Sequence, residues 1–182
     1  MKRAIVIGCP GSGKSTFAKA LHGITGLPLV HLDLLYWNAD RTTVDKAVFL
    51  SRLAEVIRQD EWIIDGNYGS TMEWRIQACD TVFFLDYPPD VCLSGITERR
   101  GKPRTDMPWI EGKDEQDDEF IAFVKSYSAE SRPKVIELLG RYCSKQIHVF
   151  RDREEADRFL KQKQQGFPPD IQSKLPVKGA QS

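Results

Sequence analysis

Short unbroken apolar runs alternate along this chain with longer stretches in which apolar residues return every three or four positions. The first run, Ala4-Ile5-Val6-Ile7, is continuous and β-branched, the pattern of a strand covered on both faces of a parallel sheet. Four more runs read the same way: LPLVHLD (27–33), EWIIDGNY (61–68), TVFFLDYPPD (81–90), stopped by paired prolines, and QIHVF (146–150). Between them the period lengthens. Phe17, Ala18 and Leu21 share one face of a helix that glycines terminate. Residues 43–58 form an amphipathic helix with Val44, Val48, Leu53, Val56 and Ile57 near one face. Residues 91–100 continue as a helix, and residues 117–143 are helical with a break near Pro133. The last helix, 152–162, opens with Asp152 as N-cap and Glu155 three positions on. From Gln164 the chain loses its period, and a poorly ordered tail is expected over 164–182.

Strands alternating with helices imply a three-layer α/β domain around a five-stranded parallel sheet, here residues 1–163. Ligands of such sheets bind beyond the carboxyl ends of the strands. Four of these strands end in candidate chemistry: a glycine-rich loop, Asp33, Asp65 and Asp86.

The length of 182 residues suits one domain with a real core. A formal net charge of zero argues against nucleic acid or an anionic membrane as the main partner, without excluding a local basic patch. The cysteines, Cys9, Cys79, Cys92 and Cys143, form no CxxC pair and read as buried apolar residues of a reducing compartment. Cys9, inside the glycine loop, is the one open to oxidation. The apolar run after the N-terminal charges is too short for a signal peptide or membrane span, so a soluble cytoplasmic protein is expected, monomer or homodimer.

Gly8, Gly13, Lys14 and Ser15 match G-x-x-x-x-G-K-[ST] between a strand and a helix, the setting that confirms a phosphate-binding loop. Gly8, Pro10, Gly11, Ser12, Gly13, Lys14, Ser15 and Thr16 would wrap main-chain amides around a triphosphate. Lys14 would reach the β- and γ-phosphates, and Ser15 would offer its hydroxyl to Mg²⁺. The loop calls for a nucleoside triphosphate and Mg²⁺.

Asp65 precedes Gly66 and could hold Mg²⁺ through water; a turn-forming aspartate is the plainer alternative. Asp33 either accepts a proton from an acceptor hydroxyl or serves as an N-cap for the residues after it. Asp86 reads as a cap before the prolines, and His31, among apolar neighbours, as a satisfied core histidine. Trp37, Asn67, Tyr68 and Arg75 are candidates to hold the acceptor, with packing as the alternative for the two rings. Arg99, Arg100, Lys102 and Arg104 concentrate charge in a Gly/Pro-containing segment, 99–119, that suits a closing lid; a solvated loop or a nucleic-acid patch are the alternatives. The acidic run 111–119 complements the helix after it, and could also hold the lid arginines in the absence of nucleotide.

GCPGSGKST, HLDLLYW, WIIDGNY and FLDYPPDVCLSGITERRGKPRTDMP together resemble the DNA topology modulation protein group of adenylate-kinase-like P-loop kinases, over roughly residues 3–160. The resemblance implies strand order 2-3-1-4-5, with ATP and Mg²⁺ at the carboxyl edge of the sheet. It implies Mg²⁺-linked Asp65, a phosphate contact from Arg99, and a second from Arg132. AMP does not carry over as acceptor, because LDLLYWNAD has no arginine in register with the AMP-binding stretch of adenylate kinases and Asn67-Tyr68-Gly69 replaces Phe-Pro-Arg. Two functions remain. One is a kinase passing the γ-phosphoryl of ATP to a nucleotide, nucleoside or other small acceptor, with Lys14, Arg99, Arg104 and Asp33 catalytic. The other is an ATP-binding regulator with little or no transfer.

Overall fold

The computed structural model describes residues 1–102, 104–109 and 118–166. Five strands form one parallel sheet: β1 Arg3–Gly8, β2 Leu29–His31, β3 Trp62–Asp65, β4 Thr81–Leu85 and β5 Gln146–Phe150. Their order is β2-β3-β1-β4-β5. The central strand β1 pairs with β3 through Val6↔Asp65 and with β4 through Gly8↔Leu85, so three strands deliver their carboxyl ends to one crevice.

Side chains of β1 alternate between two cores. Ala4 and Val6 join Phe17, Leu21, Ile63, Phe83 and Phe150 on one face. Ile5 and Ile7 join Phe49, Leu53, Ile64, Ile76, Phe84 and Leu138 on the other. Helices cover both faces: α1 Lys14–Thr25, α2 Leu32–Tyr36, α3 Lys46–Ile57, α4 Gly69–Ala78, α5 Pro89–Arg99, α6 Asp118–Glu130, α7 Arg132–Arg141 and α8 Arg153–Gly166. The three-layer architecture and strand order match expectation.

Several elements differ from the sequence pattern. The second strand stops at His31, and α2 comes directly after it, so Asp33 lies in a helical turn. The stretch after Tyr68 is helix α4, whose buried face includes Thr71 and Arg75 and so carries no apolar period. In α3 the buried residues are Phe49 and Leu53, while Val48 faces solvent. Pro133 opens α7 near its first position, where its missing N–H is harmless. Helix α8 continues past Gln164 to Gly166, and the expected disordered tail beyond it lies outside the described residues. Cys9, Cys79 and Cys92 are buried as expected, but Cys143 is exposed.

The loop after β1 lies against α5 with almost no clearance. Gly11 has φ 82°, and a Cβ there would stand 2.0 Å from the Cys92 carbonyl oxygen. A Cβ on Gly95 would stand 2.2 Å from the Gly11 carbonyl oxygen. Glycine at both positions is what lets helix and loop touch backbone to backbone.

Candidate active site

The loop Gly8–Gly13 turns from β1 into α1, and Gly13 caps the helix in the left-handed region at φ 88°. No side chain caps α1, and its first turn carries no acidic residue. Its first amides are thus left for an anion. Beside Gly13 there is open space where a Cβ would stand. Lys14 Nζ donates to the Cys9 carbonyl at 3.1 Å, which folds the ammonium over the loop. Ser12 Oγ is buried and, among the described residues, has no partner. Pro10 is half-buried and Thr16 exposed at the mouth. These features suit a bound polyphosphate.

The turn after β3 braces that loop. Asn67 faces Gly8 on both edges: its Oδ1 accepts from Gly8 N–H at 3.0 Å, and its Nδ2 donates to Gly8 O at 2.5 Å. Sequence reading aimed Asn67 at the acceptor; its amide is instead spent on the loop. Arg75 requires the same correction. It is fully buried, and its guanidinium donates to the carbonyls of Gly66 (2.8 Å), Asn67 and Tyr68 (3.2 Å) and to Thr71 Oγ1 (3.3 Å). Burial lowers its pKa to about 10, so it stays charged at neutral pH. This clamp holds Tyr68 at φ 36°, an unusual conformation for a non-glycine residue.

The strained turn directs the Tyr68 hydroxyl to Asp33 Oδ1, at 2.7 Å. Burial raises the Asp33 carboxyl above its ordinary range and the nearby Asp65 charge adds to this, while the Tyr68 hydrogen bond, Lys14 and Arg104 pull it back. The Tyr68 phenol is pushed up, first by burial and then by Asp33. Asp33, Asp65, Lys14 and Arg104 thus share one electrostatic neighbourhood at the carboxyl edge of the sheet.

Asp65 is buried, and His31 Nδ1 lies 2.8 Å from its Oδ2. His31 is the satisfied histidine its pattern implied, with Asp65 as the partner. Asp65 Oδ1 is buried without a partner among the described residues. A serine hydroxyl and one carboxylate oxygen suit a hard cation that keeps most of its waters. Ser15 and Asp65 could therefore hold Mg²⁺. Among the described residues no three His, Cys, Asp or Glu gather into a larger cage.

From the segment after α5, Asp106 reaches the first turns of α1. It is buried, accepts from Arg104 Nη2 at 2.6 Å, lies 3.6 Å from Lys19 Nζ, and stands near the Ser15 hydroxyl. Burial works to raise its carboxyl; Arg104, Ser15 and Lys19 outweigh it and hold the group well below the usual carboxylate range. Sequence reading passed over Asp106 and Lys19. The signal was one aspartate two residues from an arginine, with no period to single it out. Trp109 continues the segment and meets Trp37 edge to face, with centroids 5.5 Å apart. Arg99 lies over the Phe120 ring at 5.8 Å.

Arg132, expected at a phosphate, forks onto Asp86: Nε–Oδ1 is 2.7 Å and Nη2–Oδ2 is 2.8 Å. Arg151 binds the same carboxylate. Asp86 is therefore structural, as expected, but as an arginine anchor rather than a turn cap. The acidic run lies outside the described residues from Glu111 to Asp117, as does its suggested contact with the lid arginines.

The strand order, with the glycine loop leaving the central strand and helices on both faces, defines the architecture. The fold is that of the shikimate kinases. The chain is similar to the 1.7 Å crystal structure of shikimate kinase from Bacteroides thetaiotaomicron, with TM-score 0.57 and 21% identity, over 90% of this chain and 96% of that one. It is similar to shikimate kinase from Acinetobacter baumannii in complex with shikimate, with TM-score 0.59 and 14% identity, over 97% and 96%. No family model and no curated protein matches the chain. Identities this low carry the shared fold and leave the activity to the site's own geometry. No helix among the described residues is long and apolar enough to cross a membrane.

Proposed function

We propose that this chain is an ATP-dependent phosphotransferase acting on a small acceptor, of the kind its sequence motifs share with the DNA topology modulation group. The observation that carries this is the pairing of two features at one sheet edge. A glycine loop with an uncapped helix start offers amides and Lys14 to a polyphosphate. Asp33, within the electrostatic reach of Lys14, offers a carboxylate to an acceptor. A regulator that only bound nucleotide would need the first and not the second. The shikimate kinase fold of its structural neighbours agrees with such a reading.

Each residue has its own task. The amides of Gly8–Gly13 and the start of α1 hold phosphate oxygens, with Lys14 countering their charge. Asn67 keeps Gly8 in place for that grip. Ser15 and Asp65 hold the divalent cation, and Asp65 is oriented by His31. Asp33, itself held by Tyr68, accepts the proton of the acceptor hydroxyl. Arg99 lies at the end of α5 and stabilises charge spread over the transferring group, while Arg104, expected to share that task, is engaged by Asp106 and holds its segment against α1. Arg132 braces α7 against Asp86. Bound Mg²⁺–ATP would supply the phosphoryl group and part of its charge neutralisation.

The test is transfer from γ-labelled ATP to a panel of nucleosides, nucleoside monophosphates, sugars and shikimate. The expected result is a labelled product other than inorganic phosphate, with Lys14→Ala reducing its rate by at least about a thousandfold, the scale of losing a charge-stabilising group at such a centre. Label released only as phosphate across the panel would favour the regulator. Unchanged turnover in folded Lys14→Ala would contradict the assignment.

A further inference from the structure

Five aromatic rings run from the floor of the acceptor side to the lid. Phe49 of α3 packs on Tyr68 and on Tyr36 of α2, with centroids 5.3 Å apart in both cases. Tyr36 meets Tyr68 at 5.1 Å and Trp37 at 5.2 Å. Trp37 meets Trp109 at 87°, so two indoles form a right-angled corner across the gap between α2 and the lid segment. Of the five, only Phe49 is fully buried; the others are partly open. The same cluster places Tyr68 on Asp33. Flat apolar faces thus stand beside a carboxylate raised by its own burial, with a second carboxylate, Asp65, close enough to add to that rise.

The cations near this wall already have partners. Arg75 is buried behind the turn and spent on backbone carbonyls. Arg104 forks onto Asp106. Arg41 lies over the Trp109 ring at 5.7 Å. A phosphomonoester would bring about two negative charges to a place where Asp33 already lies within the field of Asp65 and where these cations are engaged. An uncharged hydroxyl would instead satisfy Asp33 as a donor, and a flat ring attached to it would stack on the partly open aromatic faces.

Resting on the kinase reading above, we propose that the acceptor is an uncharged, hydroxyl-bearing compound with a flat ring, of the nucleoside class and not the nucleoside monophosphate class. Its ring stacks on the Trp37–Trp109 corner and its reacting hydroxyl donates to Asp33. In the transfer, the acceptor oxygen forms a bond to the γ-phosphorus of ATP, the bond from that phosphorus to the β–γ bridging oxygen breaks, ADP leaves, and the hydroxyl proton passes to Asp33.

Tryptophan fluorescence of the full chain, titrated with adenosine, guanosine, cytidine and thymidine and with their 5′-monophosphates, tests this directly. Calorimetry with Mg²⁺–ATP runs alongside as the readout of the donor site. At least one nucleoside is expected to bind tenfold or more tightly than its own monophosphate. Trp109→Ala and Asp33→Asn are each expected to weaken that nucleoside tenfold or more and to leave the ATP affinity within twofold. Asp33→Asn reports on the same contact if Trp109→Ala fails to fold. Monophosphates binding as tightly as nucleosides, particularly if Arg41→Ala abolishes that binding, would overturn the inference. So would binding of neither class by a chain that binds ATP. A chain that gives no heat with ATP would remove the kinase reading itself, and this inference with it.

Discussion

A fully buried guanidinium bonded to three consecutive carbonyls leaves those acceptors dry when it is removed. Arg75 is in that position, and the turn it holds aims both Asn67 and Tyr68. Arg75→Met is expected to lower stability by about 3–5 kcal/mol, the range for stripping a buried polar network of its charged member. For a domain of this size that is a fall in Tm of roughly 10 °C. Thermal unfolding checks it, and Arg75→Lys should not rescue, because an ammonium lacks the planar fork. Asp33 makes a separate prediction. In the proposed role it must be ionised to accept a proton, and its burial raises its pKa above the ordinary 3.8. The acid limb of kcat/KM for the acceptor should therefore lie above that value, with rate falling as pH drops through it. Asp33→Asn should remove the limb together with most of the activity.

Elements were legible where one face is apolar and the period is clean. Phe17, Ala18 and Leu21 gave α1, and all three are buried. All five strands showed as apolar runs, because a sheet covered on both faces leaves no polar alternation to blur them. α4 was hidden because its buried side includes Arg75 and Thr71, and its start, Gly-Ser-Thr, reads as a turn. α2 was hidden because LVHLDLLYW is apolar through the strand and helix alike. The contact of Asp106 was hidden for a different reason: it meets Lys19 on α1, across the fold, with Arg104 as its neighbour in sequence. That contact can be measured. Asp106→Asn is expected to cost about 3 kcal/mol at neutral pH, the scale for breaking one side of a mostly buried pair. Asp106 has a depressed folded-state pKa, so its contribution is full above the unfolded value of 3.8 and is lost as pH falls through the lower folded value. The stability gap between wild type and Asp106→Asn, tracked by urea unfolding, should hold from neutral into mildly acid solution and close only below the ordinary carboxylate range.

At the scale of the molecule, the chemistry sits where the topology sends it. β1 lies between β3 and β4, so the glycine loop and Asp65 emerge side by side, while β2 at the edge leads into α2 and places Asp33 against Tyr68. The order of strands came from motif resemblance, since apolar runs say which segments pair but not with whom. The loop, Asp65 and Asp33 were legible because glycines and strand-end carboxylates are rare enough to stand out. Asn67, Arg75 and Arg132 were assigned to ligands, yet the folded chain uses them to hold backbone or carboxylate. All of this depends on the loop after β1 gripping a polyphosphate. Isothermal titration of the full chain with ATP, in Mg²⁺ and again after substitution of Lys14 by alanine, tests that grip most directly. The expected result is saturable heat for wild type, weakened by about tenfold or more in Lys14→Ala, whose lost ammonium no longer meets the phosphates. No heat for wild type at millimolar ATP would contradict the account, and so would equal affinity in the folded variant.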